Sequence, residues 1–237
     1  MTLALLAPLA FAGPPVWVEE LVKSKTGDTL AEPDSDGDGT PNSLDVCPTE
    51  DDGVDLDANH TPDCDETLIA NHAFTSNLVH WSGDNEPTYQ VDWSSDDLAG
   101  WSGSGALWAE VLSTAISAQA RSRCTAVDAG QTYLLRGSLE LDSSGTPNAT
   151  LAIQQFASYN DCLNTAVLTS GTVAGTTQLG TTVNAGAEFS TNSATEYVRV
   201  VLAANNNTLD PAYTQAWFDH ILLRAVTDLS DPGDDPN

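Results

Sequence analysis

Oxygen-bearing side chains recur at fixed intervals near residue 40, in a pattern suited to binding a hard metal ion. Acids and a glycine occupy the first, third, fifth, sixth and twelfth positions of one window: Asp34, Asp36, Asp38, Gly39 and Asp45. The seventh and ninth positions, Thr40 and Asn42, add a backbone carbonyl and a side-chain oxygen. Ca²⁺ takes roughly 6–8 oxygens at about 2.3–2.6 Å, and loops with this spacing supply them. Because glycine at the sixth position tolerates the sharp turn, the window predicts a calcium loop.

A second window repeats the pattern less regularly. Its candidate ligands are Asp55, Asp57, Asn59, Thr61, Asp63 and Glu66. His60 stands where the first window has its turn glycine, and histidine tolerates positive φ less well. A solvated acidic linker is the alternative interpretation of both windows, since Asp-rich runs often form one. The regular order of the ligand types favours calcium.

Residues 34–66 resemble thrombospondin type 3 repeats. That family's pattern is Asp-x-Asp-x-Asp-Gly-x-x-Asp/Asn-x-x-Asp-x-Cys-Pro, followed by a second acidic half that ends Asp-x-Cys-Asp. Residues 34–48 match the first half closely. Residues 55–65 match the second half loosely, because Asn59-His60 replaces Asp-Gly and the closing Asp63-Cys64-Asp65 lacks the spacer. The resemblance implies several bound Ca²⁺ ions and almost no regular secondary structure.

The charge balance narrows the classes of partner. The 237 residues include 34 Asp and Glu against 7 Lys and Arg, which gives a net charge of −27. Such a surface repels nucleic acids and anionic membranes, whereas calcium is its natural counter-ion. The length suffices for one sizeable domain and a small one.

Four cysteines, Cys47, Cys64, Cys124 and Cys162, allow three disulfide connectivities. We expect the local pairs Cys47–Cys64 and Cys124–Cys162, because an acidic segment with almost no hydrophobic core needs a covalent link. Free thiols or a zinc site are the alternatives. The lack of Cys-x-x-Cys spacing argues against zinc.

Composition divides the chain into five stretches. Residues 1–12 are apolar and end Ala-Phe-Ala, which predicts a secretory signal peptide, although no Lys or Arg precedes the apolar run. Residues 13–33 are expected to be a linker, 34–66 the calcium-binding repeat, 67–226 a single domain and 227–237 a disordered acidic tail. We therefore expect a secreted protein, located outside the cell or on its surface.

Apolar and polar residues alternate repeatedly in the domain after the repeat, which predicts many short strands. The predicted strands are 88–93, 105–112, 116–124, 133–141, 149–156, 176–183, 197–202 and 217–223. In the last of these, Trp217 and Asp219 are expected on one face and Phe218 on the other. Turn signals separate the strands at 129–130, 143–145, 185–186 and 205–207. The pattern predicts an all-β sandwich or barrel.

This domain resembles carbohydrate-binding modules of the galactose-binding-like jelly-roll kind. Five motifs in the family's order carry the resemblance: Asn71-His-Ala-Phe74 with Trp81, Trp93–Gly100 with Ser102–Gly105, Arg123-Cys124 through Gly130 to Tyr133, Asp161-Cys162, and Trp217-Phe218-Asp219-x-Ile221-x-Leu223. The resemblance implies an all-β fold, a jelly-roll β-sandwich preceded by a small irregular calcium-binding repeat. It also implies a structural calcium bound by Asp219 and an oxygen near Asn71 or Thr75. The alternative role for Asp219 is a strand-end acid that accepts hydrogen bonds from backbone amides.

Sugar binding in that family uses exposed aromatic rings together with a few polar groups. Trp81 and Trp217 resemble core positions, whereas four other aromatics are freer: Trp93, Trp101, Trp108 and Tyr159. Trp101, in a Gly/Ser-rich loop, is the first candidate for stacking on a sugar, followed by Tyr159 and Trp93. A place in the core is the alternative for each candidate. Replacement of Trp101 by alanine is expected to abolish sugar binding.

Catalytic motifs are absent from the sequence. It contains no Gly-x-Ser-x-Gly, no His-Glu-x-x-His and no phosphate loop, and its four histidines are scattered. The sequence thus predicts a secreted, calcium-binding, non-catalytic protein whose sandwich binds carbohydrate or another extracellular polymer, without membrane insertion. The alternative is a structural or adhesion protein of the extracellular matrix, whose sandwich binds protein or acts as a spacer.

Overall fold

The computed structural model describes residues 33–35, 37–48, 51–56, 58, 60–98, 104–112, 117–144, 146–206 and 213–226. The expected signal peptide, nearly all of the linker and the acidic tail lie outside the described residues. So do four predicted site residues: Asp36, Asp57, Asn59 and Trp101. No helix in the described ranges is long and apolar enough to cross a lipid bilayer.

Strands dominate the described chain. They are β1 (Trp81–Gly83), β2 (Tyr89–Ser94), β3 (Ala106–Leu112), β4 (Ser117–Ser122), β5 (Thr125–Ala126), β6 (Thr132–Ser143), β7 (Pro147–Phe156), β8 (Thr169–Thr176), β9 (Val183–Ser190), β10 (Tyr197–Asn206) and β11 (Tyr213–Ala225). Two short helices, α1 (Asp63–Glu66) and α2 (Tyr159–Leu163), accompany them.

Two antiparallel sheets form a jelly-roll β-sandwich, which confirms the fold class predicted from the sequence. The six-stranded sheet has the order β1-β4-β10-β7-β8, with β5 paired to β10. The five-stranded sheet has the order β2-β3-β11-β6-β9. Each sheet therefore has one face toward the core and one outer face, and each ends in edge strands.

The core lies between the sheets because alternate side chains of each strand point inward. Inward-facing, fully buried residues come from both sheets: Leu107, Leu135, Leu139, Leu141, Leu151, Val198, Val200, Leu202 and Phe218. Trp81 is 8% exposed and belongs to this core, as its motif predicted. Gly137 allows close packing, since a Cβ there would lie 2.7 Å from Cδ1 of Ile221 and that side chain would have to shift.

One predicted strand and two predicted turns are wrong. The predicted strand 176–183 covers the end of β8, a turn and the first residue of β9. The turn signal at 185–186 lies inside β9, and residues 205–206 of the signal at 205–207 lie inside β10. These segments are rich in Thr, Ala, Gly and Asn, so no apolar side chains mark a strand period there.

The predicted faces at the start of the last strand are correct up to Asp219, but Trp217 does not take the core position expected for it. The register of β11 against β6 shifts between Asp219 and Leu222, where β11 contains one extra residue, a β-bulge. His220 within the bulge has φ of 47°. Before the bulge Phe218 faces the core, and Trp217 is half-buried on the opposite face. The resemblance to carbohydrate-binding modules had implied a core position for Trp217.

Both expected disulfides form, Cys47–Cys64 and Cys124–Cys162. Next to the second one, Arg199 donates from Nη2 to the carbonyl of Cys162 at 2.6 Å. Its guanidinium carbon lies 5.4 Å from the centre of the Phe156 ring. This arrangement ties α2 to the end of the six-stranded sheet.

The acidic segment, defined as residues 34–66, is attached to the sandwich by hydrogen bonds. Arg136 of β6 donates from Nη1 to the carbonyl of Leu56 at 2.9 Å. Nε of Arg224 in β11 lies 3.2 Å from Oε1 of Glu66. Immediately after the segment, the amide of Leu68 donates to the carbonyl of Leu223. The two arginines of the five-stranded sheet are thus used to hold this segment.

Candidate functional site

The first acidic window forms a tight loop around its first carboxylate. Oδ1 of Asp34 accepts a hydrogen bond from the Gly37 amide at 2.8 Å, and Oδ2 accepts one from the Gly39 amide at 3.1 Å. Gly39 has φ of 100°, which is the left-handed conformation that its position in the spacing predicted. The backbone therefore curls around the Asp34 carboxylate.

The second window repeats this hydrogen bond. Oδ2 of Asp55 accepts from the His60 amide at 2.8 Å, which again joins the first position to the sixth. His60 has φ of 72°. Histidine in the left-handed region is unfavourable relative to glycine, but the loop geometry is retained. The two windows are thus structural copies in this respect despite their different turn residues.

Carboxylates from beyond the first window complete its cluster. Ligand oxygens of Asp38, Asp51 and Asp52 all lie within 4.8 Å of one another. Asp45 is next to them, and its Oδ2 is buried without a hydrogen-bond partner among the described residues. A buried carboxylate oxygen that lacks a donor is costly unless a cation compensates it. This donor set of hard oxygens fits Ca²⁺.

The ionisation of this cluster also reflects mutual repulsion. Partial desolvation raises the pKa of Asp52, and the adjacent Asp38 raises it further by hydrogen bonding and by charge. The Thr40 amide, which donates to Oδ1 of Asp38 at 2.6 Å, is the main cause that lowers the pKa of Asp38. One carboxylate is therefore stabilised as an anion at the expense of its neighbour. Sequence spacing missed Asp51 and Asp52, although the adjacent pair of acids shortly after Cys47-Pro48 was a visible signal.

The other predicted metal ligands have mixed surroundings. Oδ1 of Asn42 accepts from the Ser35 amide at 2.9 Å, and Thr40 and Thr61 are half-buried. Asp63 is fully buried, with Oδ1 accepting from the Leu56 amide at 3.1 Å. Glu66 forms the ion pair with Arg224, so it stabilises the junction with the sandwich. The first window is consequently the better defined of the two.

Asp219 is surrounded by donors within the sandwich. Its Oδ1 accepts from the His220 amide at 2.8 Å, and its Oδ2 accepts from the Ser104 hydroxyl at 2.9 Å. Nδ1 of His220 also lies 3.1 Å from Oδ1. The carboxylate and the imidazole are both buried, which keeps them from a solvent-borne substrate. These contacts fit an acid that accepts hydrogen bonds, and the calcium ligand that the family resemblance implied stays a prediction.

His72 provides a prediction for the pH dependence of stability. It is 4% exposed, its ring lies 6.4 Å from that of His220, and burial, with a smaller contribution from His220, lowers its pKa to about 3. In the unfolded chain His72 therefore takes up a proton near pH 6.5, whereas in the folded chain it stays neutral at that pH. We expect this residue to reduce the free energy of unfolding by about 2 kcal/mol between pH 7 and pH 5.

Urea denaturation at pH 7 and pH 5 measures this effect. His72→Gln removes the titrating group, so its loss of stability between the two pH values should be smaller than that of the natural protein. His80→Asn alters an exposed histidine with φ of 74° and serves as the control, because asparagine tolerates that backbone. Equal pH slopes for the natural protein and His72→Gln would refute the prediction.

Trp93 and Tyr159, the predicted sugar-binding aromatics among the described residues, do not converge. Trp93 donates from Nε1 to the carbonyl of Phe74 at 2.6 Å and packs against the core, so its role is structural. Tyr159 is 51% exposed at the start of α2, with its ring 5.5 Å from that of Tyr197. Trp93 belongs to the five-stranded sheet and Tyr159 to the end of the other sheet. Trp101 lies outside the described residues.

Another pair of aromatics occupies the outer face of the five-stranded sheet. Trp108 of β3 and Trp217 of β11 are cross-strand partners, and both are half-buried between fully buried neighbours. Directly opposed residues have Cβ atoms about 4.5–5.5 Å apart. Asp92 pairs with Trp108 on one side, and Glu140 pairs with Trp217 on the other. A row of acid, indole, indole and acid thus crosses four strands, over about 14 Å at the usual strand spacing.

A second row beside the first is entirely polar. It contains Gln90, Glu110, Gln215 and Asp142 on the same four strands. Oε2 of Glu110 accepts from Nε2 of Gln90 at 2.9 Å, and Oε1 accepts from Nε2 of Gln215 at 2.7 Å. The carboxylate is therefore fixed between two amides. We call these two rows together the tryptophan face.

The tryptophan face is acidic and lacks cations. Its carboxylates belong to Asp92, Glu110, Glu140 and Asp142, whereas the arginines of the five-stranded sheet, Arg136 and Arg224, contact the acidic segment. Thr182 donates to Oε2 of Glu140 at 3.1 Å, and its hydroxyl also lies 3.3 Å from the Leu98 carbonyl. The face therefore combines two flat apolar rings with fixed hydrogen-bonding groups.

No protein-family model matches this sequence, and no curated protein sequence matches it. Solved structures do share the fold. One contains the CBM22-1 and GH10 modules of Clostridium thermocellum endo-1,4-beta-D-xylanase 10B complexed with xylohexaose, with a TM-score of 0.51 and 13% identity over 68% of this chain and 29% of that one. Another is the enzymatically active domain of tailspike protein 4 of bacteriophage CBA120, with a TM-score of 0.50 and 8% identity over 68% of this chain and 21% of that one.

A family 16 carbohydrate-binding module also aligns, with a TM-score of 0.44 and 17% identity over 66% of this chain and 98% of that module. The chain spans less than a third of the xylanase and tailspike chains. At these identities the comparisons establish the fold alone, a jelly-roll β-sandwich.

Proposed function

We propose that this chain is a secreted, calcium-binding, non-catalytic protein whose sandwich binds a carbohydrate chain on the tryptophan face. The observation that carries the proposal is the cross-strand pair Trp108 and Trp217, flanked in the same row by Asp92 and Glu140. Indole faces bury large apolar area at little cost in conformational freedom. At the edges of the rings, carboxylates accept hydrogen bonds from hydroxyl groups, and side-chain amides both donate to them and accept from them.

The shape of the face suits an extended ligand. Its two parallel rows offer an apolar platform beside a line of polar groups, and binding sites typically combine many apolar contacts with few fixed polar ones. The pairing of Glu110 with two glutamines fixes its carboxylate before a ligand arrives. Such preorganisation reduces the entropy lost on binding. The xylohexaose complex of the xylanase modules that share this fold supports a polysaccharide as the ligand class.

The acidic segment is proposed to hold Ca²⁺ through Asp38, Asp45, Asp51 and Asp52, together with Asp34, Asp36, Thr40 and Asn42 of the spacing. Asp55, Asp57, Asn59, Thr61 and Asp63 belong to the proposed second loop. Bound calcium neutralises the repulsion between these carboxylates and thereby stabilises the loops. Two disulfides fit an oxidising, extracellular location, where calcium is abundant.

A glycan array tests the proposal and its expected charge preference. The full chain, with calcium present, should bind neutral oligosaccharides at least about tenfold more tightly than chains of similar length that contain uronic acids. Four carboxylates without a cation repel an anionic ligand at low ionic strength. Raising the salt concentration to about 1 M, where the screening length falls to roughly 3 Å, should reduce the difference in affinity between neutral and acidic oligosaccharides.

Tight binding of acidic glycans would contradict the assigned face. Absence of binding to any neutral or acidic glycan, with calcium present and the fold intact, would overturn carbohydrate binding altogether. The structural or adhesion role, with a sandwich that binds protein or acts as a spacer, would then be the better account.

A further inference from the structure

The six-stranded sheet ends in an open strand. β8 pairs with β7 on one side, and no other described strand forms hydrogen bonds with its free side. A register shift against β7 between Leu151 and Ala152 places a bulge near Val173, so the regular part of this edge is Thr169–Thr172, which is exposed. An unpaired strand edge presents N–H and C=O groups that a further strand can satisfy.

This edge lacks the charges that normally protect edge strands. From Cys162 to Ala187 the sequence contains no Asp, Glu, Lys, Arg or His, although the chain as a whole carries a net charge of −27. Lysine, proline or inward-pointing charges usually prevent edge-to-edge association. We call the stretch from Cys162 to Ala187 the neutral edge. Among the residues that line the cleft beside this edge, Glu188 is the one with a carboxylate, so two copies of this acidic chain meet little like charge there.

Exposed apolar side chains accompany the neutral edge. Leu163, Val167 and Leu168, which precede β8, are 58%, 37% and 44% exposed, and Leu179, which follows it, is 48% exposed. A cleft of about 230 Å³ opens between β8 and β9, with Ile153, Gly171 and Phe189 among its lining residues. A Cβ on Gly171 would meet no atom within 4 Å. The edge therefore offers both backbone groups and apolar surface to a partner.

We propose that β8 pairs antiparallel with β8 of a second copy of this chain, across a two-fold axis near Ser170 and Gly171. An isologous contact needs a self-complementary surface, and a short uncharged antiparallel strand satisfies this condition. The pairing joins the two six-stranded sheets into one, and the flanking leucines and Val167 lose exposure. It leaves the outer face of the five-stranded sheet free, so it is independent of the proposed carbohydrate site.

Sedimentation velocity on the full chain with calcium tests the pairing. We expect a monomer–dimer equilibrium at concentrations of roughly 10–100 µM. Higher salt should strengthen it, because screening weakens repulsion between the acidic copies. Thr172→Lys places a charge on the solvent face of the edge and should raise the dissociation constant at least about tenfold. Ala126→Lys adds the same charge to exposed β5 in the same sheet and should leave the dissociation constant unchanged.

A protein that is monomeric across this range at both low and high salt refutes the pairing. Equal weakening by Thr172→Lys and Ala126→Lys refutes it as well, since the effect would then be one of net charge. Hydrogen exchange tests the contact on the natural protein, without any substitution that could change the fold. The amides of Thr169–Thr172 should exchange more slowly as the concentration rises, whereas unaltered exchange in a dimer would place the contact elsewhere.

Discussion

Replacement of Trp217 by alanine is expected to weaken glycan binding at least about 30-fold, which corresponds to about 2 kcal/mol. The indole is half-buried at the centre of its row, between Trp108 and Glu140, and its removal eliminates half of the apolar platform. Because the side chain lies outside the core, the sandwich should remain folded. Calorimetric titration with the best neutral ligand from the array measures the change, and near-ultraviolet circular dichroism monitors the fold.

Two comparisons separate this outcome from a general loss of structure. Trp217→Phe retains an aromatic ring and should have an intermediate affinity. Tyr159→Ala removes a side chain that is 51% exposed at the end of the other sheet, and it should bind as the natural protein does. If Trp217→Ala keeps its affinity while Tyr159→Ala loses it, the ligand binds near α2 and the tryptophan face is wrongly assigned.

The sandwich was predictable wherever one face of a strand is apolar throughout. The predicted strand 133–141 corresponds to β6, and 149–156 to β7, because both have regular inward-facing side chains. The β8 and β9 strands were missed because Thr, Gly and Ala provide almost no difference between their two faces. Their strand conformation comes from pairing with β7 and β6, and such long-range pairing has no local signal.

The candidate sites show the same distinction between local and distant information. The spacing of the first acidic window predicted the left-handed turn at Gly39, and the structure has it. Asp51 and Asp52 belong to no regular spacing with that window, so their approach to Asp38 depends on how the chain returns after Cys47. The exposure of Trp217 depends on an extra residue several positions later in β11, a bulge that alternation cannot anticipate.

Removal of calcium is expected to make the acidic segment sensitive to proteases while the sandwich stays resistant. The described residues of the segment contain little regular structure, and the carboxylates of Asp38, Asp45, Asp51 and Asp52 repel one another without a cation. Titration of the chelated protein with Ca²⁺ should release heat and restore protection. Asp45→Asn should weaken calcium binding at least about tenfold, because the buried Oδ2 of Asp45 has no hydrogen-bond donor among the described residues that could replace a metal.

Asp128→Asn is the matched control for the loss of one negative charge. Asp128 is exposed and lies in the sandwich, far along the chain from the acidic segment. Its replacement should therefore leave calcium binding unchanged. Asp51→Asn distinguishes the cluster seen in the structure from the spacing alone, since Asp51 lies outside the regular windows. If Asp51→Asn binds calcium normally while Asp36→Asn does not, the ion is held by the spacing residues and the contribution of Asp51 is wrong. The acidic segment has little hydrophobic core, so bound ions are what would give it a stable conformation. If calcium produces neither heat nor protection in the natural protein, the segment is a solvated tether.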